Sequence, residues 1–213
     1  MLEVLRDACT RQAILTPHFD HRTETCAHFL SRRKAAYIEL KKSAGPLMRR
    51  LKLLLSAEVY LTEGVSRLPL LDRLCIPGTR CLPIEMPLSR FDRHSMAEIA
   101  HLLHKRKITP VISATERHFL LYNRQDYEKL TSLPDTVYQF TANALQNTDI
   151  MHEAVRLLNM GKTVILGSNA HNAVTRRPVD EACERYIATG CSRSVFLAFS
   201  LKTAAYFKDA FSG

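Results

Sequence analysis

The chain is poor in glycine, with seven in 213 residues, and carries nine prolines, no low-complexity tract and no internal repeat. That composition excludes a disordered or repeat-built protein. No apolar run approaches the ~18–20 residues needed to span a bilayer. The greasiest stretch, "SVFLAFSLKTAAYF" from Ser194 to Phe207, is interrupted by Lys202 and reads as a buried last helix. The opening "MLEVLRDACT" is charged and helical in pattern, without the apolar core and small-residue cleavage site of a signal peptide. A cytoplasmic protein without a transmembrane segment is expected. The six cysteines, at 9, 26, 75, 81, 183 and 191, include no Cys-x-x-Cys pair. This excludes a zinc knuckle and a disulfide scaffold and leaves reduced, mostly buried thiols. In "CIPGTR" only four residues separate Cys75 from Arg80, too few for a cysteine-phosphatase loop, so a turn around Pro77-Gly78 is expected.

What the chain does have is apolar residues and positive charge. A 46% hydrophobic content suffices for one sizeable core, and a single α/β domain over residues 1–213 is expected. The net charge of +9 is concentrated between Arg32 and Lys52, where eight basic residues face only Glu39. A solvated helix face is the ordinary reading; an acidic tail, a membrane surface or nucleic acid are the others. No nucleic-acid motif or interleaved aromatic platform accompanies the charge, so no nucleic-acid partner is expected.

Helical and strand patterns alternate. Helices are expected at about Leu2–Arg11 and Glu24–Ala44, the latter stopped by Gly45-Pro46. A short strand should fill Ala13–Thr16, and Leu51–Leu61 reads as a strand buried on both faces. A short helix is expected at Val65–Arg73, and a strand weakened by Pro83 ends at Glu85. Ser95 and Glu98 form a capping-box pattern for a helix running to Arg106. Strands at Thr109–Ser113, Thr136–Ala142 and Thr163–Ser168 alternate with helices at Gln125–Leu133 and Asp149–Met160, the second closed by Gly161. Pro178 and Gly190 bracket a further helix, and the last runs through Val195–Phe207. Helical segments between strands imply parallel strands with right-handed crossovers, as a barrel or a doubly wound sheet.

Such folds gather their chemistry at the carboxyl ends of the strands. There stand His18 with Asp20 and His21, then Glu58, then Glu85, then Glu116 and Arg117 beside Ala114, then Asn169 and His171. Singly, each reads as an ordinary loop residue or an internal ion pair. Their coincidence over several strands points to a rim of imidazoles and carboxylates, donors suited to divalent metals. His101 and His104 share a helix running into Lys105-Arg106-Lys107 and read as a solvated face; His28, His94 and His152 also sit on or beside helices.

The motifs "TPHF", "AEVYL", "IEMP", "TPVISATERHF", "GSNAHN" and "RRP" (Arg176–Pro178) follow one another in this order over nearly the whole chain. In this the sequence resembles the polymerase-and-histidinol-phosphatase (PHP) superfamily, in particular the bacterial manganese-dependent protein-tyrosine phosphatases of capsule and exopolysaccharide clusters. The resemblance implies a distorted parallel (β/α) barrel with up to three metal ions at the strand ends and a hydroxide between them that attacks phosphotyrosine. It makes His18, Glu58, Glu85 and His171 match metal ligands and Arg117 the phosphate-binding arginine. It also exposes departures. The family's first strand carries a His-x-His pair, and this chain begins inside what resembles the helix after it, so a barrel lacking its first strand is expected. Ala114 stands where the family has a ligand histidine, and Asn169 where it has an aspartate, keeping a carbonyl oxygen but no charge. The expectation is a tyrosine-phosphatase-like protein, a pseudoenzyme or a weak enzyme, with manganese or another divalent metal at reduced occupancy. Its partner by resemblance is a phosphotyrosine protein such as a capsule-synthesis tyrosine kinase. The alternatives are a non-catalytic phosphotyrosine- or acidic-partner-binding protein and a non-functional gene remnant. The sequence leaves the oligomeric state open.

Overall fold

The structure is a computed structural model that describes residues 2–7, 11–46, 51–172 and 193–212. Strands β1 (Gln12–Leu15), β2 (His18–Phe19), β3 (Lys52–Leu55), β4 (Glu58–Tyr60), β5 (Cys81–Glu85), β6 (Thr109–Ile112), β7 (Val137–Thr141) and β8 (Thr163–Gly167) alternate with helices. These are α1 (Leu2–Asp7), α2 (Cys26–Ala44), α3 (Arg93–His104), α4 (Thr115–Leu121), α5 (Arg124–Ser132), α6 (Thr148–Asn159) and α7 (Arg193–Tyr206). Every strand pairing is parallel, in the order β2-β4-β5-β6-β7-β8, with β1 and β3 as a separate pair. The fold is therefore α/β with a parallel sheet and helical crossovers, as the alternating sequence pattern requires. Among the described residues no strand precedes β1, and β2 and β8 each pair on one side only, so the barrel wall is open between them.

The two faces of the sheet carry different cores, separated by the two-residue period of the strands. Leu82, Ile84, Ile112, Tyr138, Phe140 and Val164 join the large core shared with the helices. Their neighbours Cys81, Val111, Val137 and Ile165 pack with Phe207 and Ala210 in a second, inner cluster. Above that cluster lies a cavity of about 860 Å³, bordered by residues 12–18 on one side and 165–171 on the other. Helix α7 flanks it, and its Thr203 hydroxyl accepts a hydrogen bond from the outward amide of Leu166 at 2.8 Å. This covers part of the β8 edge.

Several elements differ from the sequence reading. The expected strand Leu51–Leu61 breaks at Ser56-Ala57, and it is not buried on both faces: Lys52 is exposed, and Leu54 and Leu55 are half-buried. The strand expected at Ala13–Thr16 breaks at Thr16-Pro17, which puts His18 inside β2 rather than after a strand. Backbone bonds from Ser56 to Leu15 and from Glu58 to Pro17 carry the pairing across both breaks. Pro83 sits within a central strand; β4 pairs with β5 only from Ile84 onward, so no ladder bond to β4 is demanded of its missing N–H. The helix expected at Val65–Arg73 is two 3₁₀ turns, Val65–Arg67 and Leu71–Leu74. Helix α4 had no periodic signal.

The cap of α3 also moves: Asp92, not Ser95, accepts at the helix start, from the Ser95 amide at 2.9 Å. Glu98 is thereby free of the capping box. It reaches across to the β4–β5 connection, where its carboxylate accepts from the amides of Gly64 and Ser66 and from Arg67. The turn at Pro77-Gly78 forms as expected, with Gly78 at φ 74° and the Thr79 amide donating to Ile76. Helix α6 ends on Gly161 at φ 77°, with Gly161 and Lys162 amides donating to Leu158 and Leu157. Cys26, Cys75 and Cys81 are free and buried; Cys9, Cys183, Cys191, the Arg176–Pro178 motif and the helix expected between Pro178 and Gly190 lie outside the described residues. Among the described residues no helix is long and apolar enough to cross a membrane.

Candidate metal and phosphate site

The rim residues converge. Register pairs His18 on β2 directly with Glu58 on β4, and Tyr60 on β4 with Glu85 on β5. His18 Nδ1 lies 3.2 Å from Glu85 Oε2 and 4.0 Å from Glu58 Oε2. The rings of His18 and His171 are 5.7 Å apart between centroids. Arg117, from the first turn of α4, places Nη1 3.6 Å from Glu85 Oε1. Residues far apart in the chain thus meet because the parallel register sets His18 and Glu58, which open β2 and β4, beside Glu85 at the end of β5. Asn169, at φ 48°, turns the chain after β8, and its Oδ1 sits 3.2 Å from His171 Nε2. Asparagine tolerates that left-handed conformation better than most residues.

Electrostatically the carboxylates are unequal. Burial pushes the Glu58 carboxyl above its ordinary pKa. The Ser113 hydroxyl, the His18 imidazole and Arg117 pull the other way, while the negative charge of Glu85 adds to the rise. Its side chain is 16% exposed and is approached by a histidine, with Arg117 spent on Glu85. Asp20 is the opposite case. Arg22 hydrogen-bonds it at 3.0 and 3.1 Å through Nε and holds its carboxyl below the usual range.

Three residues that the sequence places near the rim do not join it. His118 is 1% exposed, packed with its ring 4.9 Å from that of Tyr122, so it turns into the core rather than toward the strand ends. His21 is engaged by Nδ1 with Thr62 Oγ1 at 3.0 Å. Glu116 is buried and accepts from the Thr141 amide at 3.1 Å, tying α4 to the end of β7. His101, read as a solvated residue, is half-buried, with Nδ1 enclosed and unpartnered. Ala114 occupies the turn into α4 at φ 47° and is buried, so a methyl group faces the cavity at that strand end.

Sequence reasoning missed Ser113, which meets Glu58, and the neighbouring pair of Arg22 and Tyr60. Arg22 stacks 5.1 Å from the Tyr60 ring, beside a hollow of about 240 Å³ that reaches His18 and Glu85. Arg22 lies in the turn after β2, and Tyr60, though it ends β4, is not a residue type that marks a metal rim; only the fold brings the two together.

The donor types, two carboxylates and two imidazoles, are those of a borderline divalent cation. The buried position of Glu58, beside a second carboxylate, also suits a cation. The cage is not closed, however. Among the described residues no three His, Cys, Asp or Glu side chains are set to hold a metal ion. His18 leans on Glu85, and Ala114 contributes no donor. The set offers donor types that suit a cation, without a closed cage among the described residues.

In fold the chain is similar to a protein in the crystal structures of YwqE from Bacillus subtilis and CpsB from Streptococcus pneumoniae, described as unique metal-dependent tyrosine phosphatases. The TM-score is 0.73 at 20% sequence identity, over 98% of this chain and 85% of that chain. No curated protein matches by sequence. The family model for capsular polysaccharide synthesis, CpsB/CapC, matches residues 1–205. With nearly its whole length matched, the chain belongs to the CpsB/CapC family of capsular polysaccharide synthesis.

Proposed function

We propose that this protein is a metal-dependent phosphomonoesterase of the tyrosine-phosphatase type with an incomplete site and weak activity. The convergence of His18, Glu58, Glu85, His171 and Arg117 on one rim carries the reading. Glu58 and Glu85, with His18 and His171, would hold a divalent cation such as manganese, and the Asn169 carbonyl oxygen adds a neutral donor. A cation there would supply positive charge that neutralises phosphoryl oxygens and acidifies water.

The chain's own residues do the rest. The Arg117 guanidinium, now 3.6 Å from Glu85, presents a fork of donors to a phosphate. Ser113 steadies the Glu58 carboxylate. The cavity behind the rim gives an aromatic leaving group an apolar wall, formed by Pro83, Val111 and Ile165. The methyl of Ala114 and the uncharged Asn169 weaken the hold on the cation, which is why low occupancy and slow turnover follow. A phosphotyrosine on a kinase of capsule synthesis is the substrate that the family membership supports.

Calorimetric titration with Mn²⁺, followed by p-nitrophenyl phosphate turnover, tests this. Binding should weaken at least ~10-fold in Glu58→Ala and in His171→Ala, and turnover should fall with it. The Ala114→His variant restores a donor on a backbone that histidine tolerates, and should bind Mn²⁺ more tightly than the wild type. Mn²⁺ binding that is absent, or indifferent to all three substitutions, would sink the reading.

A further inference from the structure

We infer that the end of the barrel opposite the candidate site docks on an anionic lipid surface. Because all the strands are parallel, the residues that enter them gather at one end. Arg11 precedes β1, Lys52 opens β3, Arg80 precedes β5 and Lys162 precedes β8. Lys105 and Lys107 precede β6. Helix α2 runs down from the rim and brings Lys41 and Lys42 to the same end. Lys208 joins them, since the chain after α7 returns there: Lys52 Nζ donates to the Phe211 carbonyl at 2.8 Å, and Ala210 lies against Gly78. Most of these side chains are exposed. Together with Arg73 and Arg106 they outnumber the carboxylates described on this side, which include Glu39, Asp72, Asp135 and Asp209.

How the cations are held matters more than their number. At the rim, arginines are matched with carboxylates: Arg22 with Asp20, Arg32 with Glu24, Arg117 with Glu85. At the opposite end, several donate to backbone carbonyls instead. Arg80 bonds the carbonyls of Lys107 and Arg106, and Lys162 bonds that of Leu133 at 3.0 Å. Arg106 reaches the carbonyls of Ser66 and Leu68. A carbonyl fixes the side chain but leaves its full charge in place. Among the described residues, Lys42 and Arg106 are paired with the carboxylates of Glu39 and Asp72, as are Arg156 with Glu153 and Lys129 with Asp126 in the last turns of α6 and α5.

The pattern selects the partner. The cations come from separate loops across the whole end, so they present an area rather than a groove. Laterally mobile headgroups satisfy such an array without a fixed register, unlike a folded acidic protein. Single-stranded nucleic acid would call for stacking platforms, whereas Phe207 and Phe211 at this end pack into the inner cluster; a duplex would call for a groove-fitting element beside the phosphate contacts. Among the described residues no helix is long and apolar enough to cross a membrane; the interaction is electrostatic adsorption, and it leaves the rim facing the aqueous phase.

Sedimentation of the full chain with phosphatidylcholine vesicles, with and without phosphatidylglycerol, tests it. Binding should require phosphatidylglycerol and disappear between about 0.05 and 0.5 M salt. At roughly five-fold in affinity per cation lost, and with each change also adding an anion, the triple variant Lys42→Glu, Lys105→Glu, Lys208→Glu should bind at least ~100-fold more weakly, while Arg90→Glu at the rim binds as the wild type does. Thermal melting of each variant checks folding, and should the triple variant be unfolded, the wild-type salt and lipid dependence still decides. Equal capture on neutral vesicles, no capture at low salt, or an equal loss in Arg90→Glu overturns the inference. So does tighter binding of duplex DNA or polyglutamate than of anionic vesicles at the same salt. None of these readouts depends on metal or turnover.

Discussion

His118 shows how far a residue's surroundings outweigh its type. Beside Arg117 in sequence, it lies close behind a rim strand; in the fold it is sealed in the core, with Nδ1 enclosed and unpartnered. Burial, aided by the Arg117 charge, pushes its pKa down from 6.5 to about 4. The folded state therefore keeps this imidazole neutral where the unfolded chain protonates it. The sign follows from linkage: the unfolded state binds the extra proton, so stability falls as pH drops from 6.5 toward about 4 and levels below that. Denaturant titrations across this range should show the decline, and His118→Phe should flatten it. A wild-type stability that stays level over the same range would contradict the buried neutral state. Ala114 is the converse: its type, a methyl where donors gather, was legible from the sequence, whereas its left-handed backbone was not.

At the scale of elements, Glu98 links α3 to the β4–β5 connection. Burial alone would raise its pKa; the amides of Ser66 and Gly64 and the Arg67 guanidinium outweigh that and hold it below 4.5. A depressed carboxyl contributes stability above its unfolded value, lost as pH falls through the folded one. Glu98→Gln turns an amide N–H₂ toward donors in a site with a side chain only 4% exposed. It should cost about 3 kcal/mol, measured by chemical denaturation; a loss below about 0.5 kcal/mol, the level of an ordinary surface change, would show that the link is unimportant. Sequence pattern alone assigned Glu98 to a capping box. The local motif and the tertiary contact compete for one carboxylate, and with Asp92 already capping α3 the tertiary contact prevails.

For the whole molecule, openness is the governing feature. The central strands β5 and β6 are paired on both sides, whereas β2 and β8 are edges beside a cavity of about 860 Å³. Amide exchange should be slowest in β5 and β6 and fastest in β1 and β2, with β8 between them because Thr203 holds the Leu166 amide. Protection of Ile14 or Phe19 as strong as that of Ile84 or Ile112 would argue against an open wall.

The alternation of apolar strands with helical spacers determined the fold class from the sequence, because hydrophobic period and connection length leave parallel crossovers as the sterically allowed arrangement. The identities of His18, Glu58, Glu85 and His171 were visible for the same reason, each lying at or near a strand end. Partnership was decided by tertiary structure alone. That Glu58 is buried beside Ser113, that His118 faces inward, and that Arg80 and Lys162 spend their hydrogen bonds on carbonyls depend on chain segments brought together from distant positions. Burial and pairing are properties of the assembled surface, and no local pattern encodes them.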